Sequence, residues 1–159
     1  MSANVQGMCD SFKMEALKGS HALGTQSANA TRTVTTVDVI KAALYVAASS
    51  IDHTVTAYSV TGEVTNGSGA GYTAGGVSVT NANAPALDGT TAHWTPSASF
   101  VWTAFTSAAN FDCVLLYNYS STGKLAISVH TFGAQGITAG TFTLTMPTDN
   151  GTTGLIRIA

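Results

Sequence analysis

Four histidines are the residues of this chain best suited to acid–base chemistry: His21, His53, His93 and His130. Asp52 directly precedes His53, and two neighbours on a strand point to opposite faces of a sheet, which is a poor geometry for a carboxylate that orients a histidine. The sequence also lacks the Gly-x-Ser-x-Gly motif that presents a serine nucleophile on a sharp turn. We therefore predict no catalytic residues and no enzyme. A small hydrolase is the alternative, and it would require His53, His93 or His130 to lie close to a carboxylate.

Potential metal ligands are equally dispersed along the chain. No His-x-His, His-x-x-x-His or Cys-x-x-Cys spacing occurs, and Cys9 and Cys113 are far apart, so we predict two free thiols. Three carboxylates could meet only if the fold brought Glu63, Asp88 and Asp112 together. We predict no metal-binding or cofactor-binding residues and no cofactor.

The glycine-rich segment NGSGAGYTAGG, residues 66–76, is similar to a phosphate-binding loop. It lacks the Lys-Ser/Thr pair that ends such a loop, and no helical pattern follows it. We interpret it as a flexible hairpin loop.

Six aromatic residues could form a platform for carbohydrate, but such residues more often fill a core or an interface. They are Tyr58, Tyr72, Trp94, Trp102, Tyr117 and Tyr119. We predict that Tyr58, Tyr72, Tyr117 and Phe132 are packing residues. A glycan-binding module would instead need exposed aromatic residues on one concave face, such as Tyr72, Trp94 or Trp102.

Charged residues are scarce, since 6 basic and 8 acidic residues make up 9% of the 159 positions. An average soluble domain carries about 25%. Thr, Ser, Asn, Gly and Ala must cover the surface, which suits a protein that packs against neighbours. The net charge of −2 and the scattered basic residues give no reason to expect nucleic acid. The longest apolar run, residues 42–48, is much shorter than the ~20 residues of a membrane-spanning helix, so we predict no membrane partner.

The chain from residue 36 to 159 has the pattern of one all-β domain. Short runs with alternating or continuous apolar residues predict seven to nine strands, and turns that contain Gly or Asn, or the pair Asp88-Gly89, separate them. The predicted runs are KAALYVA, YSVTGEV, GGVSVTN, SFVWTAFT, DCVLLYN, KLAISVHTF, FTLTM and GLIRIA. This pattern is typical of an antiparallel β-sandwich, either jelly-roll or Ig-like.

Residues 1–35 differ from the rest and form a predicted N-terminal arm. Its CDSFKMEALKGSHALG stretch predicts a short helix that Asp10 or Ser11 caps and that ends at Gly19 or Gly24. A helix of about two turns is marginal without packing partners. We therefore expect this arm to dock, either on the body of its own fold or on a neighbour.

The chain resembles a family of small tailed-bacteriophage proteins that are described as virion structural proteins. The resemblance covers roughly residues 10–159 and is most specific in the block from Thr56 to Gly76 and in the Leu-Tyr-Asn segment at Leu116 to Asn118. The Asn-Gly-Ser insertion before Gly69 makes the loop in the first block longer than the family pattern. The resemblance implies membership of a particle and transfers no catalytic residue.

From this resemblance we expect a non-enzymatic virion structural protein, at a position in the virion that the motifs do not fix. The low-charge surface rich in Thr and Ala and the N-terminal arm favour a capsid decoration or cement protein on the outer head surface. The alternatives are a tail, neck or fibre-associated structural protein and a glycan- or host-surface-binding module. The expected partners are the major capsid protein or other virion proteins, and a homo-oligomer, a trimer or larger, is expected. The expected location is the virion, assembled in the cytoplasm of the host bacterium.

Overall fold

The structure is a computed structural model that describes residues 3–24, 36–67 and 71–159. Within these ranges it has ten strands and one helix, which confirms the predicted all-β class. They are β1 (Gly7–Met8), α1 (Asp10–Leu17), β2 (Ile40–Val46), β3 (Val77–Ser78), β4 (Ala86–Asp88), β5 (Thr91–Trp94), β6 (Phe100–Phe105), β7 (Phe111–Asn118), β8 (Ala126–Gln135), β9 (Gly140–Leu144) and β10 (Ile156–Ile158). No helix among the described residues is long and apolar enough to cross a membrane.

The largest sheet is antiparallel and has the strand order β1-β8-β7-β2-β3. All eight residues of β7 are buried, and β2 also carries a run of four buried residues. A strand that is covered on both faces has a continuous apolar sequence instead of an alternating one. This burial explains why DCVLLYN and KAALYVA read as apolar runs.

Two smaller antiparallel sheets pack against this core, one with the order β10-β5-β4 and one formed by β6 and β9. Trp94 and Ile156 are the buried residues through which the first contributes to the core. The second joins the large sheet through aromatic rings, since the ring centroid of Phe111 lies 6.0 Å from that of Phe105 and 5.0 Å from that of Phe142. Ring pairs at these separations pack favourably.

The described part of the N-terminal segment docks on the body of its own fold, which is the first of the two expected alternatives. Strand β1 pairs with β8, and Phe12 is buried. The Asn4 side chain donates to Asp112 Oδ1 at 2.6 Å and accepts from Ser49 Oγ at 2.7 Å. Because Asn4 and Asp112 are both buried, these hydrogen bonds satisfy groups that would otherwise be costly to desolvate. Residues 25–35 of the predicted arm lie outside the described residues.

The predicted helix is present as α1, and the predicted stop at Gly19 is confirmed by its φ of 68°, which glycine adopts without strain. The predicted cap is wrong. Cys9 precedes the helix, and no side chain caps the first turn. Asp10 instead lies inside the first turn, where its carboxylate faces Lys13 at 2.8 Å.

The prediction of strand structure in YSVTGEV, around a Thr-Gly turn, is also wrong. Only isolated bridges occur there, between Ala57 and Leu125 and between Tyr45 and Glu63. Side-chain hydrogen bonds to Glu63, and not a ladder of backbone hydrogen bonds, hold this segment against the large sheet. By contrast, the predicted turn at Asp88-Gly89 connects β4 to β5, two strands too short for their sequences to show a clear period.

Candidate functional site

Two of the three histidines named for a hydrolase do lie beside a carboxylate. His53 Nδ1 is 2.8 Å from Asp10 Oδ2 on the surface, and His93 Nδ1 is 2.9 Å from Asp149 Oδ1. Asp52, the sequence neighbour of His53, instead accepts hydrogen bonds from Thr54. In the described ranges no serine hydroxyl hydrogen-bonds to the ring of His53 or His93, so neither pair is assembled with a nucleophile.

His21 is a packing residue. Its Nε2 lies 2.8 Å from Glu15 Oε2, and Asn118 Nδ2 donates to its Nδ1 at 3.2 Å. Asn118 also donates to Asp38 Oδ2 at 2.7 Å. Both ring nitrogens are therefore occupied, and His21 anchors the segment after α1 to the end of β7.

His130 is the histidine that lies next to a serine. Its Nε2 is 2.8 Å from Ser128 Oγ, and both side chains line a polar cavity of about 250 Å³ together with Gln6 and Arg157. Burial lowers the pKa of His130 from 6.5 to about 4. The ring is therefore neutral at pH 7 and can accept a hydrogen bond from the Ser128 hydroxyl. A base of such low pKa is poorly matched to proton abstraction at neutral pH.

The lowered pKa of His130 predicts a loss of stability in mild acid. The unfolded chain takes up the proton near pH 6.5 and the folded chain only near pH 4, so the free energy of unfolding falls as the pH drops between these values. Between pH 7 and pH 5 the expected contribution is about 2 kcal/mol. Urea unfolding at both pH values should show this loss in the wild type and a smaller one in His130→Gln. An equal pH dependence in both proteins would contradict the assignment, and His53→Gln serves as an exposed control.

The three carboxylates considered for a metal site belong to separate networks. Asp112 bonds to Asn4, Asp88 accepts from the backbone N–H of Gly151, and Glu63 lies among tyrosines. No group of three or more His, Cys, Asp or Glu residues in the described part of the chain could hold a metal ion.

Both cysteines are free, as predicted, and both are buried. Burial is the main cause that raises the pKa of Cys9 and the pKa of Cys113, each to about 12. Thiols with such pKa values are unreactive at neutral pH.

A polar network surrounds the buried carboxylate of Glu63. Tyr58 Oη donates to Glu63 Oε2 at 2.6 Å, while Tyr72 Oη and the backbone N of Gly75 donate to Oε1 at 2.7 Å each. Tyr117 Oη donates to the carbonyl of Gly75 at 2.8 Å, and its ring stacks on Tyr58 with centroids 4.5 Å apart. We call Glu63, Tyr58, Tyr72, Gly75 and Tyr117 the Glu63 cluster. It ties the loop before β3 to the large sheet.

The glycine-rich segment closes through a side chain. Asn66 Nδ2 donates to the Tyr72 carbonyl at 2.7 Å, and Asn66 Oδ1 accepts from the Tyr72 N–H at 2.8 Å. These two bonds join the described ends of the segment, and the middle of the predicted hairpin loop, residues 68–70, lies outside the described residues.

The aromatic residues are mostly core residues. Tyr72 and Tyr117 are buried, and Tyr58 and Phe132 are half-buried against the core, in agreement with their predicted packing role. A glycan-binding module would need exposed aromatic residues on one concave face, and this expectation is wrong for the three residues that we named. Tyr72, Trp94 and Trp102 are 6%, 1% and 2% exposed, because they fill the space between the sheets.

An apolar cavity of about 180 Å³ lies between α1 and the three-stranded sheet, large enough for one aromatic ring. Ala92 and Ile158 line it and also face solvent. In the sheet register Ala92 lies opposite Leu87 on one side and Ile158 on the other, so the three side chains share one face. We call Leu87, Ala92 and Ile158 the apolar row. The sequence did not indicate the apolar row, because β4 and β5 are short and only the Asp88-Gly89 turn between them marks their hairpin.

No family model matches the chain, and no curated protein or solved structure matches it. The likeness to phage virion proteins therefore remains a prediction from sequence.

Proposed function

We propose that this chain is a non-enzymatic structural protein of a tailed-bacteriophage virion, a decoration or cement protein that binds the outer surface of the head. Its partners in this proposal are the major capsid protein and further copies of itself. The finer assignment of the fold as a jelly-roll or Ig-like sandwich belongs to the same proposal, supported by the packing of two small sheets on a large one.

The surface is the observation that carries the proposal. Large apolar side chains are exposed on a chain with only 9% charged residues. They are Val5, Met14, Leu17, Val39, Val60, Leu87, Val101, Tyr119 and Ile158. Single exposed apolar residues are ordinary, whereas neighbouring ones on one face are typical of interaction surfaces. Leu87 and Ile158, which belong to one face, are 70% and 49% exposed.

An apolar, charge-poor surface can bind firmly to a lattice of identical sites. Each contact can be weak, because many copies bound next to one another have a high local concentration. A charge-poor surface also loses little hydration energy when it is covered, since burying an unpaired charge is far more costly than burying a hydroxyl or a methyl group.

Quantitative mass spectrometry of purified virions tests the proposal, with the major capsid protein as the internal standard. A decoration protein is expected at hundreds of copies per particle, because a head lattice repeats its sites that often. About three to a few dozen copies would assign the chain to the neck, tail or fibre, where symmetry offers few sites. Absence from the particle would overturn the virion proposal.

One observation favours the alternative of a host-surface-binding module. Tyr119 is half exposed, with Lys41 Nζ 4.4 Å and Lys124 Nζ 5.4 Å from its ring centroid. An exposed ring between two cations could bind an anionic sugar. Glycan-array binding that Tyr119→Ala abolishes, while Tyr45→Phe retains it, would favour this module over capsid decoration.

A further inference from the structure

We propose that the open edge of β4 pairs with the same strand of a second copy of this chain, antiparallel and about a two-fold axis at Leu87. The two three-stranded sheets then form one six-stranded sheet. This inference adds a two-fold contact between copies, distinct from the contacts of the trimer or larger oligomer expected from the sequence, and rests on the proposed function for its biological setting. The pairing itself is measured on the free protein, without the virion.

The hairpin between β4 and β5 fixes which backbone groups point outwards. Asp88 lies opposite Thr91, and the two-residue loop between them begins with Gly89, whose φ is 59°. In a two-residue hairpin the flanking pair exchanges both ladder hydrogen bonds, and the next pair exchanges none. The next pair is Leu87 and Ala92. The N–H and C=O of Leu87 therefore point away from β5.

Strand β4 is an edge of its sheet. In the part of the chain that the structure describes, the order β10-β5-β4 leaves one of its sides open, and all three of its residues are exposed. Among the described residues, none outside the hairpin hydrogen-bonds to the backbone of Leu87. An edge of this kind is a template for another strand, and a short strand, a proline, a bulge or a charged side chain weakens such pairing. The only charge on β4 is at its end, on Asp88.

The edge is complementary to itself. Leu87 is the middle residue of the strand and presents one donor and one acceptor on the same side. When two such strands run antiparallel about a two-fold axis, the N–H of each Leu87 meets the C=O of the other. The same patch then serves both partners, which is the property of an isologous interface. A second copy of this chain is therefore the occupant that the edge fits best.

The apolar row gives the paired edge a hydrophobic side. Leu87 is 70% exposed although it is the central residue of β4, and Ile158 at the far side of the same row is 49% exposed. Edge pairing places the two Leu87 side chains directly opposite each other on one face of the joined sheet. Their contact removes apolar surface from water at the point where the backbone hydrogen bonds form.

The expected affinity is low. Three residues of edge cover much less than the ~1,200–2,000 Å² that stable protein interfaces bury, so we expect a dissociation constant of about 10 μM to 1 mM. Fixation of the copies on a particle would raise their effective concentration into the millimolar range for suitably spaced sites. Pairing that is weak in solution would then be strong on the lattice.

Sedimentation analysis between about 10 μM and 1 mM tests the inference with three variants. Leu87→Pro removes the outward N–H, and proline is tolerated in an edge strand only where its nitrogen faces outwards. Leu87→Lys keeps the backbone and places a charge on the edge, which covers the case that the proline variant fails to fold. We expect the wild type to dimerise and both variants to dimerise at least about 10-fold more weakly. Leu17→Ser is the matched control, because Leu17 is 92% exposed on α1 and should leave dimerisation unchanged.

Cysteine trapping tests the two-fold register. Opposite residues of a hydrogen-bonded antiparallel pair have Cα atoms about 5.5 Å apart, which a disulfide can span. Leu87→Cys should therefore form a covalent dimer on mild oxidation and Leu17→Cys should not, while the native cysteines are buried. A wild type that is monomeric at about 1 mM, or a Leu17→Ser variant that weakens dimerisation as much as Leu87→Lys, would overturn the inference. A monomer whose Leu87→Lys variant has fewer copies in virions would also overturn it, because the edge would then bind a different protein.

Failure of the pairing and failure of the virion proposal give different results. Absence of the chain from virions, together with dimers that depend on Leu87, would overturn only the proposed function. Presence at hundreds of copies with no self-association would overturn only the edge pairing.

Discussion

Replacement of Glu63 by Ala is expected to lower the free energy of unfolding by about 3 kcal/mol or more, because it leaves buried donors without an acceptor. Tyr58, Tyr72 and Gly75 all donate to this carboxylate. Burial and the nearby charge of Glu63 raise the pKa of Tyr72 far above its usual range, so its hydroxyl stays protonated and keeps its role as a donor. Urea or thermal unfolding of Glu63→Ala at pH 7 measures the effect.

Two comparisons separate the effect of losing the hydrogen bonds of the Glu63 cluster from the effect of losing any carboxylate. Asp52→Ala removes a partly exposed carboxylate whose hydrogen bonds to Thr54 lie at the surface, and it should change stability by only about 1 kcal/mol. Tyr58→Phe should be destabilising in the wild type, since it removes the one hydroxyl that bonds to Oε2. It should be close to neutral in Glu63→Ala, where the hydroxyl has no acceptor left to lose. Additive effects in this double-mutant cycle would show that the cluster does not act as a unit.

The strands that could be predicted from sequence are those whose burial is set by the large sheet. The runs at β7 and β2 are continuous and apolar, so burial on both faces is visible in their composition. Strands β4 and β5 are too short for periodicity, and their only signal is the Asp88-Gly89 turn. That turn predicts a hairpin but not that one side of it is an open edge, which depends on the order of strands in the sheet.

The polar networks could not be predicted, because they join residues that are distant in the sequence. Asn4 and Asp112 are 108 positions apart, so no local pattern in the sequence pairs them. The hydrogen bonds of Glu63 to Tyr58 and Tyr72 are local in sequence, yet the Thr-Gly turn between Val60 and Glu63 reads as a hairpin. The buried hydrogen bonds to the Glu63 carboxylate outweigh the weak preference of this short segment for backbone pairing in a β-ladder.

Replacement of Gly76 by Ala is expected to lower the free energy of unfolding by more than about 4 kcal/mol, or to prevent folding. The φ of Gly76 is 68°, and a Cβ atom there would lie 1.8 Å from the carbonyl oxygen of Ala42 in β2. That oxygen belongs to a strand with pairing partners on both sides, β7 and β3, so it cannot move without breaking ladder hydrogen bonds. The expected result is measured as the unfolding free energy, or as the loss of folded protein in far-UV circular dichroism.

Two other glycines separate the causes of this loss. Gly89 also has a positive φ, 59°, but a Cβ atom there would meet no atom within 4 Å beyond its chain neighbours, so Gly89→Ala should lose only the ~1–2 kcal/mol of the left-handed conformation. Gly133 has neither a positive φ nor such a neighbour within 4 Å, so Gly133→Ala should be close to neutral. If Gly76→Ala were no less stable than Gly89→Ala, the close approach to β2 would not exist. We therefore expect the loss of stability to increase in the order Gly133→Ala, Gly89→Ala, Gly76→Ala. Gly89 and Gly76 both have a positive φ, and only Gly76 lies close to β2. The difference between these two variants therefore tests how the loop before β3 lies against the large sheet.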